Sequence, residues 1–257
     1  MKGTSTWKSS HTWALLAILA GIILVGLFTP PGLRLWAWLI VMVLLALFSI
    51  IAGYGITGLW WGLLIDERNK MSLSRFQMVL WTILILSAIL TAALFNVALG
   101  LADPVSISIP AELWLLMGIS TTTMVGSPLI LSTKRTREAD DYDTARAFDR
   151  IISNQGVDPN ALDTKGLVII NTDPREARWS DMFRGEEVGN GGQLDLGKIQ
   201  MFYFTIILVL AYGSALSSLF ANVTSGITAF PALDASMVAL LGISHAGYLT
   251  NKAIPHS

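Results

Sequence analysis

His245 is the one ionisable side chain placed well inside a long apolar run, seven positions before Lys252, or roughly 10 Å along a helix. In a membrane segment such a group serves as a proton-sensitive or pore-lining residue, or stays neutral and hydrogen-bonds a neighbouring helix. Arg75-x-Gln77 and Lys198-x-Gln200 set a cation and an amide at the start of two further apolar runs. They suit a pore mouth or docking ring; equally, they suit snorkelling cations that anchor each span, with Gln bridging helices. The hydroxyls of Ser120 to Thr123 and Ser244 either line a hydrated path or bond their own i−4 carbonyls. There is no cysteine, which excludes disulfides, thiolate metal sites and cysteine nucleophiles. No Gly-rich phosphate loop with Lys, no His-Glu-x-x-His and no acidic metal cluster occurs. The expectation is a protein that is not an enzyme, with no catalytic residues, no metal and no cofactor.

The two cation-x-Gln pairs belong to a longer likeness. Ser72-Leu73-Ser74-Arg75-Phe76-Gln77-Met78 returns 123 positions later as Asp195-Leu196-Gly197-Lys198-Ile199-Gln200-Met201. Leu116-Met117-Gly118-Ile119-Ser120 returns at an offset of 124 as Leu240-Leu241-Gly242-Ile243-Ser244. Two blocks at nearly one offset indicate an internal duplication. The alignment sets Thr121 opposite His245, so the repeat carries no symmetric histidine pair.

The elements that must position these residues are apolar helices. Of 257 residues, 53% are hydrophobic and 14% charged, against roughly 25% charged in a soluble domain. Spans are expected over Trp13 to Phe28, between Arg34 and Asp66, over Phe76 to Leu99, Leu113 to Thr133, Ile199 to Ala221, and a short one over Ala235 to Asn251. Pro128 should kink the fourth. Gly58-x-x-x-Gly62 reads as a small-residue pair for close helix packing, within one subunit or in a homo-oligomer. The architecture expected is an all-α membrane protein with six transmembrane helices. Two N-terminal helices (1–70) precede a first two-helix repeat (71–133), a small cytoplasmic insert (134–193) and a second two-helix repeat (194–257), the repeats being parallel.

Sixteen of the seventeen Lys and Arg residues then share one side with both termini; only Arg34 lies across. By the positive-inside rule that side is cytoplasmic. A net charge of −1 offers no basic signature for nucleic acid, so none is expected as a partner. The insert is the one sizeable polar stretch. Ala139 to Ile152 reads as a helix, Leu167 to Ile170 as a strand, Trp179 to Phe183 as a helical turn, and Gly189 to Gly192 as a flexible hinge. Trp179, Met182, Phe183 and Arg184 are of the types enriched at interfaces and are the candidate contacts for a cytoplasmic protein partner; docking on the protein's own membrane face would use them equally.

Leu64 to Gln77, Trp179 to Glu187 and Leu240 to Tyr248, with the motifs Ser-Leu-Ser-Arg-x-Gln and Leu-Gly-Ile-Ser-His-x-Gly-Tyr, resemble an uncharacterised bacterial family of multi-pass membrane proteins. The resemblance covers roughly 60–255 and implies a bacterial inner (plasma) membrane location. It implies no activity and no site residues. The leading expectation is therefore a membrane anchor or scaffold, embedded in the lipid bilayer and recruiting a cytoplasmic partner through 134–193. The alternative is a channel or transporter for ions or small solutes, with its path between the repeats near His245 and Thr121.

Overall fold

In the computed structural model, which describes residues 7–256, the chain is mostly helical. The helices are α1 (Ser9–Phe28), α2 (Arg34–Thr57), α3 (Leu73–Ala98), α4 (Ala111–Lys134), α5 (Asp141–Gln155), α6 (Leu196–Asn222) and α7 (Ala235–Ala253). A two-stranded antiparallel hairpin, β1 (Leu162–Lys165) and β2 (Val168–Asn171), follows α5. Five helices, α1, α2, α3, α4 and α6, are long and apolar enough to cross a membrane. α7 has 19 residues but is interrupted by Ser244, His245, Asn251 and Lys252, and is not among the five. Trp13, Phe28, Trp36 and Ile56 are largely exposed along α1 and α2. An apolar surface of that extent suits lipid and not water.

The chain divides into two compact units. One comprises residues 1–63, 79–117 and 206–238; within it α1 packs on α2. Trp38 of α2 is buried, donates from Nε1 to Ser87 Oγ of α3 at 3.0 Å, and stacks on Phe220 of α6. A Cβ on Gly26 of α1 would meet the Leu94 side chain at 2.4 Å, so that approach requires glycine. Buried Asn96 ties two loops together. Its Nδ2 donates to Ile227 O at 2.7 Å and Pro104 O at 3.0 Å, and its Oδ1 accepts from Ile227 N at 2.8 Å.

The other unit comprises residues 64–78, 118–205 and 239–257. It gathers the starts of α3 and α6, the ends of α4 and α7, and the polar stretch between α4 and α6. That stretch has a core of its own. Ala147 and Ile151 of α5 pack with Val157, Leu162, Leu167, Ile169 and Val188. Asp140 caps α5, accepting from the Tyr142 and Asp143 N–H groups. β2 is buried on both faces: Ile169 joins the α5 cluster, while Val168 and Ile170 pack on Leu131 of α4, following the alternation of a strand.

Two expectations are corrected. Gly58 and Gly62 form no helical face, because α2 ends at Thr57, Gly58 caps it with φ of 73°, and Gly62 lies in a 3₁₀ turn. Thr57 Oγ1 ends the helix by bonding Gly53 O and Leu59 N. The stretch Gly189 to Gly192 is a hydrogen-bonded turn and not a loose hinge: Gly189 N donates to His256 O, Asn190 N to Glu187 O, and Asn190 Oδ1 accepts from Glu187 N.

Asn96→Ala removes all three loop bonds and leaves the Ile227 amide and carbonyl enclosed. It should cost about 1–3 kcal/mol of stability, read as a lower unfolding midpoint in detergent, with Asn222→Ala, an exposed asparagine, close to neutral.

Candidate functional site

In the second unit the tight turn Asp66 to Lys70 projects Arg68 inward. Asp66 N donates to Lys70 O, Asn69 takes φ of 55°, and Asp66 Oδ1 accepts from Arg68 N. Asn69 and Asn171 lock the turn to β2, each donating its amide to the other's carbonyl, at 2.8 and 2.9 Å. The Arg68 guanidinium bonds Asp66 Oδ2 through Nε at 2.9 Å and Nη2 at 2.6 Å, and its Nη1 lies 3.1 Å from Glu186 Oε1.

Glu186 is the centre. It sits on a short stretch paired with β2, Ile169 N donating to Glu186 O and Val188 N to Leu167 O. Its Oε1 also accepts from Lys198 Nζ of α6 at 2.9 Å, and its Oε2 pairs with Lys252 of α7. Lys198 further donates to Arg184 O at 2.6 Å, and Lys252 to Tyr248 Oη at 2.8 Å and to Ser127 of α4. Beside it Glu187 takes Lys134 Nζ at 2.6 Å and the His256 amide at 2.9 Å, while Lys134 also bonds Ile254 O. These four cations and two glutamates are all at most 8% exposed.

Such burial is tolerable only because every charge is paired. Burial alone would raise the Glu186 carboxyl; Arg68 first, then Lys198 and Lys252, overcome it and hold it well below the usual carboxylate range. Burial opposes the charge on Arg68, but Asp66 and Glu186 outweigh it and raise Arg68 above its ordinary value. Burial also opposes ionisation of Asp66, and Arg68 reverses this by charge and hydrogen bonds.

The candidate residues fall around this cluster unevenly. Lys198 is in it. Gln77 is fully enclosed and bridges α3 to α6, donating to Thr205 Oγ1 at 2.7 Å and Met201 O at 3.3 Å. Arg75 is half-buried and Gln200 is exposed, so the two cation-x-Gln pairs occupy unlike surroundings. His245 is buried, with Nδ1 2.6 Å from Thr123 Oγ1. Thr121 is exposed; Thr123, two positions on and so roughly 200° around α4, meets the imidazole instead. Thr123 Oγ1 also lies 3.1 Å from Ile119 O, so the hydroxyl stands between that carbonyl and the imidazole. Among the candidate partner contacts Trp179 is exposed, Phe183 and Arg184 are half-buried, and Met182 is 1% exposed. Met182 is therefore corrected to an internal residue.

Sequence reasoning missed Asp66, Arg68, Lys134, Glu186, Glu187, Tyr248 and Lys252. A usable signal was present: the three stretches singled out by their motifs contain or adjoin most of them. Among the described residues no group of three or more His, Asp or Glu side chains is placed to hold a metal ion. No family model, no curated protein and no solved structure matches this chain.

Glu186→Gln leaves three buried cations short of their shared countercharge and should cost roughly 3–5 kcal/mol. Unfolded, the carboxyl titrates near ~4.3; folded, it titrates lower. Its stabilisation is complete above that unfolded value and is lost as pH falls from there through the folded value. Unfolding midpoints for wild type and Glu186→Gln should differ at neutral pH and converge as the medium is acidified.

Proposed function

We propose that this is a multi-pass membrane anchor or scaffold whose polar segment is held as a fixed platform on the cytoplasmic ends of its helices. One observation carries the reading: Glu186, inside the polar segment, is paired with Arg68, Lys198 and Lys252, which come from three different chain segments at helix ends. A tethered, mobile domain has no need of such pairing, whereas a docking platform gains a defined orientation from it. Six spans, with α7 as the sixth, and two parallel helix pairs, α3–α4 and α6–α7, fit this arrangement. The gathering of the starts of α3 and α6 with the ends of α4 and α7 in one unit supports it. So does the excess of Lys and Arg on that side, which favours a cytoplasmic face; a bacterial inner membrane is what the family resemblance implies. The partner surface is centred on Trp179 and Arg184, with the exposed side of α5 at Tyr142, Arg146 and Asp149.

The test is crosslinking and affinity capture from native membranes, comparing wild type with a Trp179→Ala/Tyr142→Ala variant that keeps the Glu186 cluster. A soluble protein held by wild type and lost from the variant is the expected result. Equal capture by both, or no specific partner from well-expressed wild type, removes this reading.

A transport reading has its own observation. Ser120 Oγ, Ser244 Oγ and His245 Nε2 are enclosed without hydrogen-bond partners on the facing stretches of α4 and α7. Two unpartnered hydroxyls and one unpartnered imidazole nitrogen suit bridging water. If water there forms part of a path, proton or small-ion flux in proteoliposomes should fall by at least tenfold in His245→Ala; unchanged flux, or none in wild type, counts against it.

A further inference from the structure

Beside the Glu186 cluster lies a separate, partly open cleft lined by Arg68, Lys70, Ile151, Asp181, Arg184, Gly185 and Gly192. Its volume is about 10 Å³, the space of one water-sized group. Arg68 is already satisfied by Asp66 and Glu186. Lys70 is not: it is 9% exposed, and among the described residues no side chain forms an ion pair or hydrogen bond with its ammonium. Arg184 lines the same cleft, and its Nη1 is enclosed without a hydrogen-bond partner. The one acid present, Asp181, is committed to main-chain amides, its Oδ2 accepting from Arg178 N at 2.8 Å and Met71 N at 3.4 Å. The Lys70 ammonium and the enclosed Arg184 Nη1 thus line a small opening in which Asp181 is the one countercharge and bonds neither of them. Burial lowers Lys70 to about 8, against the opposing pull of Asp181.

The level of the cleft indicates what supplies the anion. Lys70 stands three residues before α3 begins. The first turns of α3 and α6 carry Phe76 stacked on Phe202, with Trp179 edge-on to Phe76 and Phe183 edge-on to Phe202. Of these, exposed Trp179 is of the type that gathers at the depth of lipid headgroups.

We propose that the cleft between Lys70 and Arg184 binds one oxygen of a phosphate-class oxyanion, supplied by a lipid headgroup at the start of α3. The phosphate caps the mouth, one oxygen enters between the ammonium and Nη1, and the rest of the headgroup stays outside. Asp181 sets the limit on charge and disfavours a highly charged ligand.

The test uses full-length protein in detergent, titrated with short-chain phosphatidylglycerol, with inorganic phosphate, and with diacylglycerol at matched ionic strength. Binding is read by the unfolding midpoint and by native mass spectrometry. Phosphatidylglycerol should bind and raise the midpoint, and diacylglycerol should not. Lys70→Gln and Arg184→Gln should each weaken binding roughly ten- to a hundredfold, as expected for a lost charge-assisted bond, while exposed Arg175→Gln changes nothing. Inorganic phosphate binding with the same variant pattern, without lipid binding, would keep the oxyanion site and reassign its source to soluble phosphate. No binding of either ligand, or full binding by Lys70→Gln, overturns the proposal. Wild type alone supplies an independent readout should the variants not fold. Affinity for phosphatidylglycerol should fall as pH rises through about 8, where Lys70 loses its proton, held by Asp181 and Asp66 and opposed by Arg68 and Lys198. A flat profile from pH 7 to pH 10 also overturns it.

Discussion

Everything in the polar half of this protein depends on one carboxylate meeting three cations. Glu186 is the shared countercharge for Arg68, Lys198 and Lys252, and none of the three reaches water freely. The geometry tolerates this because the load is divided. Arg68 brings its own second carboxylate, Asp66, two residues away in the same turn. Lys198 offers a further proton to the Arg184 carbonyl, and Lys252 reaches Tyr248 and Ser127. Each ammonium therefore spends donors on neutral acceptors as well as on Glu186, which lowers the cost of taking it out of water.

The pairing of 186–188 with β2 follows from the same requirement. A side chain that must face three partners needs a backbone that does not shift, and the ladder to Leu167 and Ile169 supplies that. β2 in turn is fixed by apolar contacts on both faces, Ile169 to α5 and Val168 to Leu131. The reciprocal Asn69–Asn171 bonds extend the ladder to the turn that holds Arg68. The small core around α5 thus aims Glu186, and the neighbouring Glu187 ties the end of the chain at His256 to Lys134.

Much of the helical framework was legible because its signal is additive: long uncharged runs announce α1, α3, α4 and α6 within a few residues of their observed ends, while the run after Arg34 overshoots α2, which stops at Thr57. α5 and β2 were legible from periodicity; β1, four residues of Leu-Asp-Thr-Lys, carries almost none. The cluster was illegible because each member has an ordinary explanation taken alone. A lysine at a helix end reads as an anchor, and a glutamate in an acidic insert reads as a solvated charge. Only the fold reveals that Arg68, Glu186 and Lys252, spread over 184 positions, are neighbours. The likeness of the two helix starts was no better a guide. Lys198 and Arg75 match in sequence, yet Lys198 is buried against Glu186 while Arg75 stays half-exposed; the shared helix start does not dictate a shared neighbour.

An apolar contact would hold the polar segment to the helix ends at least as firmly, since a buried ion pair adds little net stability over a well-packed apolar one. What the charges add is selectivity. Leu or Ile side chains can slide against one another at small cost, whereas Glu186 has one position in which both oxygens are satisfied and Arg68, Lys198 and Lys252 all meet a carboxylate. A displacement of a few ångströms leaves buried cations unpaired, at several kcal/mol each. The segment is thereby confined to a single docked register, and a surface built on Trp179, Arg184 and α5 keeps a fixed orientation relative to the helix ends it rests on. That fixed orientation, more than the strength of the attachment, is what the proposed platform role would require of an ionic core.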